Sequence, residues 1–262
     1  MEMNVNEPFG LDSVPRRVMH LIFLVDTSGS MYGTKIASLN TAVRETLNDV
    51  GEISANNGDA QIKVAVLEFS SGTQWMYPQP EPSEDFRWQD LQASGLTSLG
   101  AAYAELNAKL SKANGFMSEP TGSRAPAMIL LTDGMPTDDY KRSLEKLKEN
   151  RWFKAGVKVA VAIGDKDTNV DVLAEFTGNV EAVFTVHTTD QLKHIIRTVS
   201  VTASQVASQS ASVSVSASGA PADAQSQMVA NMTGAIQTDD SLKNVDQGKS
   251  TANAGTDDWA KW

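Results

Sequence analysis

Three oxygen-bearing side chains stand at alternate positions directly after an apolar run. Residues 21–25 are apolar throughout, and Asp26, Ser28 and Ser30 follow them, with Gly29 between the two serines. A run that short, bounded by polar residues, is typical of a buried strand. Ligands of parallel α/β sheets bind at the carboxyl ends of strands. A carboxylate and two hydroxyls at such an end suit a hard cation, and we expect Mg²⁺.

A turn that caps the following helix would explain the same three residues without any metal. Two further loops favour the metal. Thr97 lies in a glycine-rich turn before a predicted helix, and Asp133 directly follows a second apolar run. Donors from three separate loops form one site only if the chain folds so that these loops converge. The later acids Asp138 and Asp139 are expected to cap the next helix rather than to bind metal.

Strand-like and helix-like patterns alternate between about residues 14 and 204. They predict strands over residues 21–25, 62–69, 127–132, 157–163 and 182–185, and helices over residues 34–53, 99–110, 139–151, 170–176 and from 189. Residues 73–77 predict a short strand that pairs with the second strand at the sheet edge. The alternation indicates an α/β fold: a doubly wound, mostly parallel central sheet with one short antiparallel edge strand and helices on both faces.

Composition excludes several classes of function. The 262-residue chain has a net charge of −10 and no cysteine, so disulfides, zinc ribbons and thiol catalysis are absent. An acidic chain without a basic run is a poor candidate for binding nucleic acid or an anionic membrane. We find no signal peptide and no stretch near the ~18 apolar residues of a membrane span. The expectation is a soluble, cytoplasmic protein.

The chain is predicted to have three parts. Residues 1–13 show no periodicity and are expected to form a loose N-terminal arm, and residues 14–204 to form the α/β domain. From about residue 205, Ser, Ala, Gln, Asn, Gly and Asp dominate. Such a segment buries too little apolar surface to offset the entropy of ordering it. Residues 205–262 are therefore predicted to be a disordered, Ser/Ala-rich tail.

The five candidate donors resemble a known metal site. Asp26, Ser28 and Ser30, then Thr97, then Asp133 within Thr-Asp-Gly are similar to the metal-ion-dependent adhesion site of von Willebrand factor A (VWA) domains. The resemblance covers about residues 14 to 200, with the pieces in the same order and in matching strand and loop contexts. It implies the VWA fold and a bound Mg²⁺ or Mn²⁺.

The resemblance also implies a role for each residue. Ser28 and Ser30 would bind the metal directly, Asp26 and Asp133 through water or at longer range, and Thr97 directly in one state and through water in another. Independently of the family, Mg²⁺ prefers six oxygens and keeps several waters. Neutral hydroxyls leave its charge under-compensated, so an anionic sixth ligand, an Asp or Glu of a partner protein, is expected.

The amino-acid sequences of the three loops are similar to those of bacterial tellurium-resistance (TerY-like) VWA proteins. The similar stretches are residues 24–31, 95–100 and 131–138. Some relatives carry a cysteine-rich tail module, which this cysteine-free chain lacks. The resemblance implies a stress-response or defence signalling system, in which a protein kinase or phosphatase encoded nearby is a candidate partner.

Two functional hypotheses follow. The first is a non-enzymatic, Mg²⁺-dependent protein-binding module of such a bacterial system. The alternative is a metal-dependent hydrolase or phosphatase that uses Asp26 as its nucleophile. Against the alternative, Ser28 occupies the place of a second acid two residues after Asp26, and the sequence shows no positioned Lys or His base.

Overall fold

Strands and helices alternate along the structure, a computed structural model that describes residues 15–58, 60–164, 169–209, 223–242 and 244–248. The strands are β1 (Arg17–Asp26), β2 (Ala60–Phe69), β3 (Thr73–Trp75), β4 (Glu81–Pro82), β5 (Ala127–Thr132), β6 (Val157–Ile163), β7 (Val183–Val186) and β8 (Asp246–Gln247). The α-helices are α1 (Thr34–Asn56), α2 (Leu99–Lys109), α3 (Tyr140–Glu149), α4 (Arg151–Ala155), α5 (Val170–Thr177), α6 (Thr189–Gln209) and α7 (Ala224–Thr238).

The strands form one sheet in the order β3-β2-β1-β5-β6-β7-β8, with β4 also paired to β2. The pairs β2–β1, β1–β5, β5–β6 and β6–β7 are parallel. β3 and β4 run antiparallel to β2 at one edge, and β8 runs antiparallel to β7 at the other. The predicted fold class is confirmed, and short antiparallel strands lie at both edges rather than at one.

β1 lies at the centre of the sheet and is buried on both faces. Phe23 and Val25 pack into one apolar cluster with residues of α1, α6 and α7. Ile22 and Leu24 pack into a second cluster with residues of α2, α3, α4 and α5. Because side chains alternate between the two faces of a strand, a continuous apolar run is what a strand between two helical layers requires. This packing fixes the position of Asp26, the last residue of β1.

The prediction of a disordered tail from residue 205 is wrong where the structure describes that region. α6 continues to Gln209, and α7 and β8 follow. In α7, Met228 and Met232 are fully buried and Ile236 packs against the same cluster as α1 and α6. The polar composition of this region predicts disorder, whereas an apolar stripe at helical spacing packs α7 against the domain. The predicted arm over residues 1–13 and tail residues 210–222, 243 and 249–262 lie outside the described residues.

A side chain of α7 completes the sheet beside β6. The backbone N–H of Lys158 donates to Gln225 Oε1 (2.8 Å), and Gln225 Nε2 donates to the Lys158 carbonyl (2.8 Å). β7 pairs with β6 only from Ala160 onward. The amide of Gln225 therefore satisfies backbone groups of β6 that β7 does not reach.

In the described part of the chain, no helix combines the length and the apolarity that crossing a membrane requires.

The packing of α7 predicts the effect of two neighbouring substitutions on the free energy of unfolding. Met232→Ala should lower it by about 2–5 kcal/mol, because it removes a fully buried side chain and leaves a cavity. Asn231→Ala, at an exposed position of the same helix, should change it by less than about 0.5 kcal/mol. Urea denaturation of the full chain measures both values, and equal effects would contradict a packed α7.

Candidate metal centre

Two carboxylates meet at one edge of the sheet because β1 and β5 are parallel neighbours. Asp26 ends β1, and Asp133 follows Thr132, the last residue of β5. The register pairs Val25 with Leu131, so the two strands end at the same level. Both carboxylates are buried. The order of the strands reverses at this point, because β2 lies on one side of β1 and β5 on the other. Such a switch point is where α/β sheets bind ligands.

The loop after β1 brings the two serines together. The backbone N–H of Ser28 donates to Asp26 Oδ1 (2.8 Å), and this bond closes a tight turn around the carboxylate. A single turn of 3₁₀-helix, Gly29–Met31, follows. It leaves the Oγ atoms of Ser28 and Ser30 3.0 Å apart. Ser28 is buried whereas Ser30 is exposed, so the pair leads from the interior to the surface.

Hydrogen bonds join this loop to the end of β5. Ser30 Oγ donates to Asp133 Oδ1 (2.7 Å), and Lys35 Nζ donates to Asp133 Oδ2 (2.7 Å). Thr132 Oγ1 donates to Asp26 Oδ2 (2.5 Å). Four of the five sequence-predicted residues are therefore linked directly into one hydrogen-bonded group, which Thr132 joins through Asp26.

Thr97 joins the group by proximity rather than by a hydrogen bond of its side chain. A Cβ placed on Gly134 would lie 3.6 Å from Ser30 Oγ and 3.7 Å from Thr97 Oγ1. The hydroxyls of Ser30 and Thr97 therefore border the same small space, which glycine keeps open. Thr97 is held by Thr137, whose N–H donates to the Thr97 carbonyl (2.9 Å) and whose Oγ1 accepts from the Thr97 N–H (3.2 Å).

Backbone hydrogen bonds hold the Thr97 loop against the Ser28 loop. The N–H of Gly29 donates to the Gly95 carbonyl (3.0 Å), and the N–H of Ser94 donates to the Thr27 carbonyl (2.7 Å). Gly95 has φ +81°, and a Cβ at this position would lie 2.5 Å from Ser71 Oγ. Any other residue would be strained here and would collide with Ser71, in the turn between β2 and β3.

Asp138 caps a helix, but not the predicted one. Its Oδ1 and Oδ2 accept from the N–H groups of Gly100 (3.0 Å) and Ala101 (3.1 Å), at the start of α2. Asp139 precedes α3 without making a side-chain cap. The expectation that both acids cap the next helix is therefore wrong, because Asp138 reaches back across the site. It fixes the start of α2, and with it the nearby Thr97.

The electrostatics of the site depend on the burial of Asp26. Burial raises the pKa of Asp26 above its ordinary value, and hydrogen bonds from Thr132 and Ser28 act in the opposite direction. A buried carboxylate is costly unless positive charge lies nearby. The Lys35 ammonium contacts Asp133 rather than Asp26, so a cation among the hydroxyls would supply the missing charge.

The donor set fits a hard divalent cation. Its five side chains offer only oxygen, from two carboxylates and three hydroxyls, which are the ligands preferred by Mg²⁺ and Mn²⁺. Within the described residues, no group of three or more His, Cys, Asp or Glu side chains could hold a metal. Any metal bound at this edge therefore depends on the hydroxyls.

Sequence reasoning missed three residues of the site. Thr132 positions Asp26, Thr137 positions Thr97, and Lys35 is ion-paired with Asp133. Thr132 lies within the Thr-Asp-Gly stretch that singled out Asp133, so its position was a usable signal. Neither Lys35 nor Thr137 carries such a signal, because their contacts depend on the approach of separate elements.

Comparison with known proteins gives one family. A family model described as the von Willebrand factor type A domain matches residues 20–198. The human collagen alpha-6(VI) chain is 26% identical over 200 residues, which cover 71% of this chain and 8% of the collagen chain. The chain thus spans less than a tenth of this curated relative.

Two solved structures share the fold. A von Willebrand factor type A protein from Catenulispora acidiphila gives a TM-score of 0.51 at 19% identity, covering 72% of this chain and 43% of that one. Proximal thread matrix protein 1 from the mussel byssus is described with zinc in its MIDAS motif, the metal-ion-dependent adhesion site. It gives a TM-score of 0.52 at 19% identity, covering 70% of this chain and 47% of that one. At these identities the similarity concerns the fold alone.

The hydrogen bond from Thr132 to Asp26 predicts a specific loss of metal affinity. Thr132→Val keeps the shape of the buried side chain and removes the donor. Mg²⁺ affinity should fall by about 10–100-fold, as is typical for partners that orient metal ligands. Thr185→Val, at a buried position two strands away in β7, should leave it unchanged. Calorimetric titration measures both variants, and equal affinities would contradict the positioning role.

Proposed function

The chain belongs to the von Willebrand factor type A family, and on that basis we propose that it is a metal-dependent protein-binding module rather than an enzyme. The observation that carries the proposal is the convergence of the hydroxyls of Ser28, Ser30 and Thr97 beside only two carboxylates, Asp26 and Asp133. Hydroxyls bind a cation without neutralising it. A bound cation would therefore attract one more anionic ligand from outside the chain.

The proposed metal is Mg²⁺ or Mn²⁺. Ser28 and Ser30 would hold it through their hydroxyls, with Thr97 beside them. Asp26 and Asp133 would act through water or at longer range. The oxygen-only donor set supports this choice, since sites selective for zinc are usually rich in Cys and His. The metal would supply positive charge at the surface, where a carboxylate of the partner could reach it past the exposed Ser30.

The proposed ligand is an Asp or Glu side chain of a partner protein. Similarity of residues 24–31, 95–100 and 131–138 to TerY-like proteins supports a place in a bacterial tellurite-resistance, stress-response or defence system. A kinase or phosphatase of the same system is then the proposed partner, and the cytoplasm the proposed location. Collagen and thread proteins share the fold, so the similarity of the loops is what supports this finer assignment.

The contacts of Asp26 do not favour the hydrolase alternative. Oδ1 accepts from the Ser28 N–H and Oδ2 from the Thr132 hydroxyl, and the side chain is fully buried. A nucleophilic carboxylate needs one oxygen free to approach the substrate. Lys35, a positioned lysine that the sequence did not reveal, contacts Asp133 as a charge partner.

Partner capture should require both the metal and the hydroxyls. In Mg²⁺, the tagged full chain should retain its partner from a lysate of its source cells, and EDTA should release it. Ser28→Ala should abolish both Mg²⁺ binding and capture, because it removes a proposed metal ligand. Ser204→Ala, which removes a buried hydroxyl of α6, should change neither. Calorimetry and quantitative pull-down measure the two effects.

Full retention of the partner in EDTA would contradict the adhesive mechanism. Turnover of an aryl phosphate that Asp26→Asn abolishes would instead support the hydrolase.

A further inference from the structure

Few large apolar side chains are exposed among the described residues, and most of these lie in the loops of the candidate metal centre. Among the described residues, four stand out: Tyr32 is 80% exposed, Leu96 60%, Met135 49% and Val180 41%. The first three lie in the three loops that supply the candidate donors. We call Tyr32, Leu96 and Met135 the apolar rim.

Each residue of the apolar rim is close in sequence to a candidate donor. Tyr32 comes two residues after Ser30, Leu96 directly precedes Thr97, and Met135 comes two residues after Asp133. Adjacent Cα atoms are about 3.8 Å apart, so each rim residue lies within about 8 Å of its donor. Three separate loops therefore each carry an exposed apolar residue next to a candidate donor.

The fold does not need these side chains at the surface. Met31, next to Tyr32, is fully buried in the core, and Leu99, three residues after Leu96, is buried in α2. The loops thus have apolar residues that anchor them and others that remain in water. Exposed apolar surface grouped at one place is typical of a surface that a partner covers.

Space for a partner's side chain lies beside the apolar rim. A cavity of about 450 Å³ opens between the start of α1 and residues 90–93, and Tyr32, Ile36 and Leu91 are among its lining residues. Asn40 holds the two walls together, because its Oδ1 accepts from the N–H of Leu91 (2.9 Å) and its Nδ2 donates to the Leu91 carbonyl (3.0 Å). The cavity is therefore a fixed part of the fold, next to the loop that carries Ser28 and Ser30.

We propose that the apolar rim binds apolar side chains that flank the partner's acidic residue. The site then recognises a segment of a partner protein with one Asp or Glu between apolar neighbours. This proposal rests on the proposed function, since the acidic residue is the ligand of the metal. Tyr32, Leu96 and Met135 determine which acidic segments are accepted.

Charge complementarity favours a single acid over an acidic cluster. The chain carries a net charge of −10, so additional carboxylates in the partner would be repelled. The cation attracts one carboxylate, and the apolar rim offers no further positive charge to a second. An acid with apolar neighbours gains both the metal contact and the burial of apolar surface.

A display library of random 12-residue peptides tests this specificity. The full chain is loaded with Mg²⁺, and bound peptides are eluted with EDTA. Peptides recovered on the unaltered chain should contain Asp or Glu with apolar residues enriched at the adjacent positions. The combined variant Tyr32→Ser, Leu96→Ser, Met135→Ser should still select the acid, lose the preference for apolar neighbours, and bind the best peptide about tenfold more weakly.

Two controls separate the possible results. Val180→Ser removes an exposed apolar side chain outside the metal loops and should behave like the unaltered chain. Calorimetry should give the same Mg²⁺ affinity for both variants, which shows that the loops are intact. Recovery of acidic peptides without apolar neighbours would overturn the role of the apolar rim but not the proposed function. A preference for apolar neighbours that survives in the combined variant would do the same. Recovery of no peptides, or of peptides without an acid, would overturn the proposed function as well.

Discussion

The parallel pairing of β1 with β5 is the constraint on which the candidate metal centre depends. Its register places Val25 beside Leu131, so the chain leaves both strands at the same edge, about 4.8 Å apart. Asp26 and Asp133 are carried there by strands that are apolar on both faces. A slip of one residue would turn the last side chain of a strand to the other face. The register that buries the two strands therefore also sets the geometry of the site.

Around this pairing, the loops are fixed mainly by backbone groups and by residues that do not belong to the donor set. Thr132 holds Asp26, Asp138 holds the start of α2, and Gly95 lets two loops approach closely. Donors placed in this way need little reorganisation when a ligand binds. The hydroxyls add no negative charge to the site, and the exposed apolar side chains lie where a bound partner would exclude water.

The sequence predicted the sheet well because its signals are local. Apolar runs that end on a polar residue marked β1 and β5, and the order of the donors indicated which loops had to meet. The contacts of Lys35 and Asp138 could not be predicted, since each joins elements far apart in the chain. The tail was misjudged for another reason. Polar composition concealed the stripe that includes Met228 and Met232, and a helix needs only one apolar face to pack.

The two hydrogen bonds between Gln225 and β6 bear on where the chain can be divided. The family match ends at residue 198, before the end of α6 and before α7 and β8. A fragment cut at that boundary would lose the amide that occupies the backbone of Lys158 and the strand that pairs with β7. β6 and β7 would then each have unpaired backbone groups at an open edge. Other chains can pair with such an edge. The segment after the family match thus covers one of the two edges of the sheet.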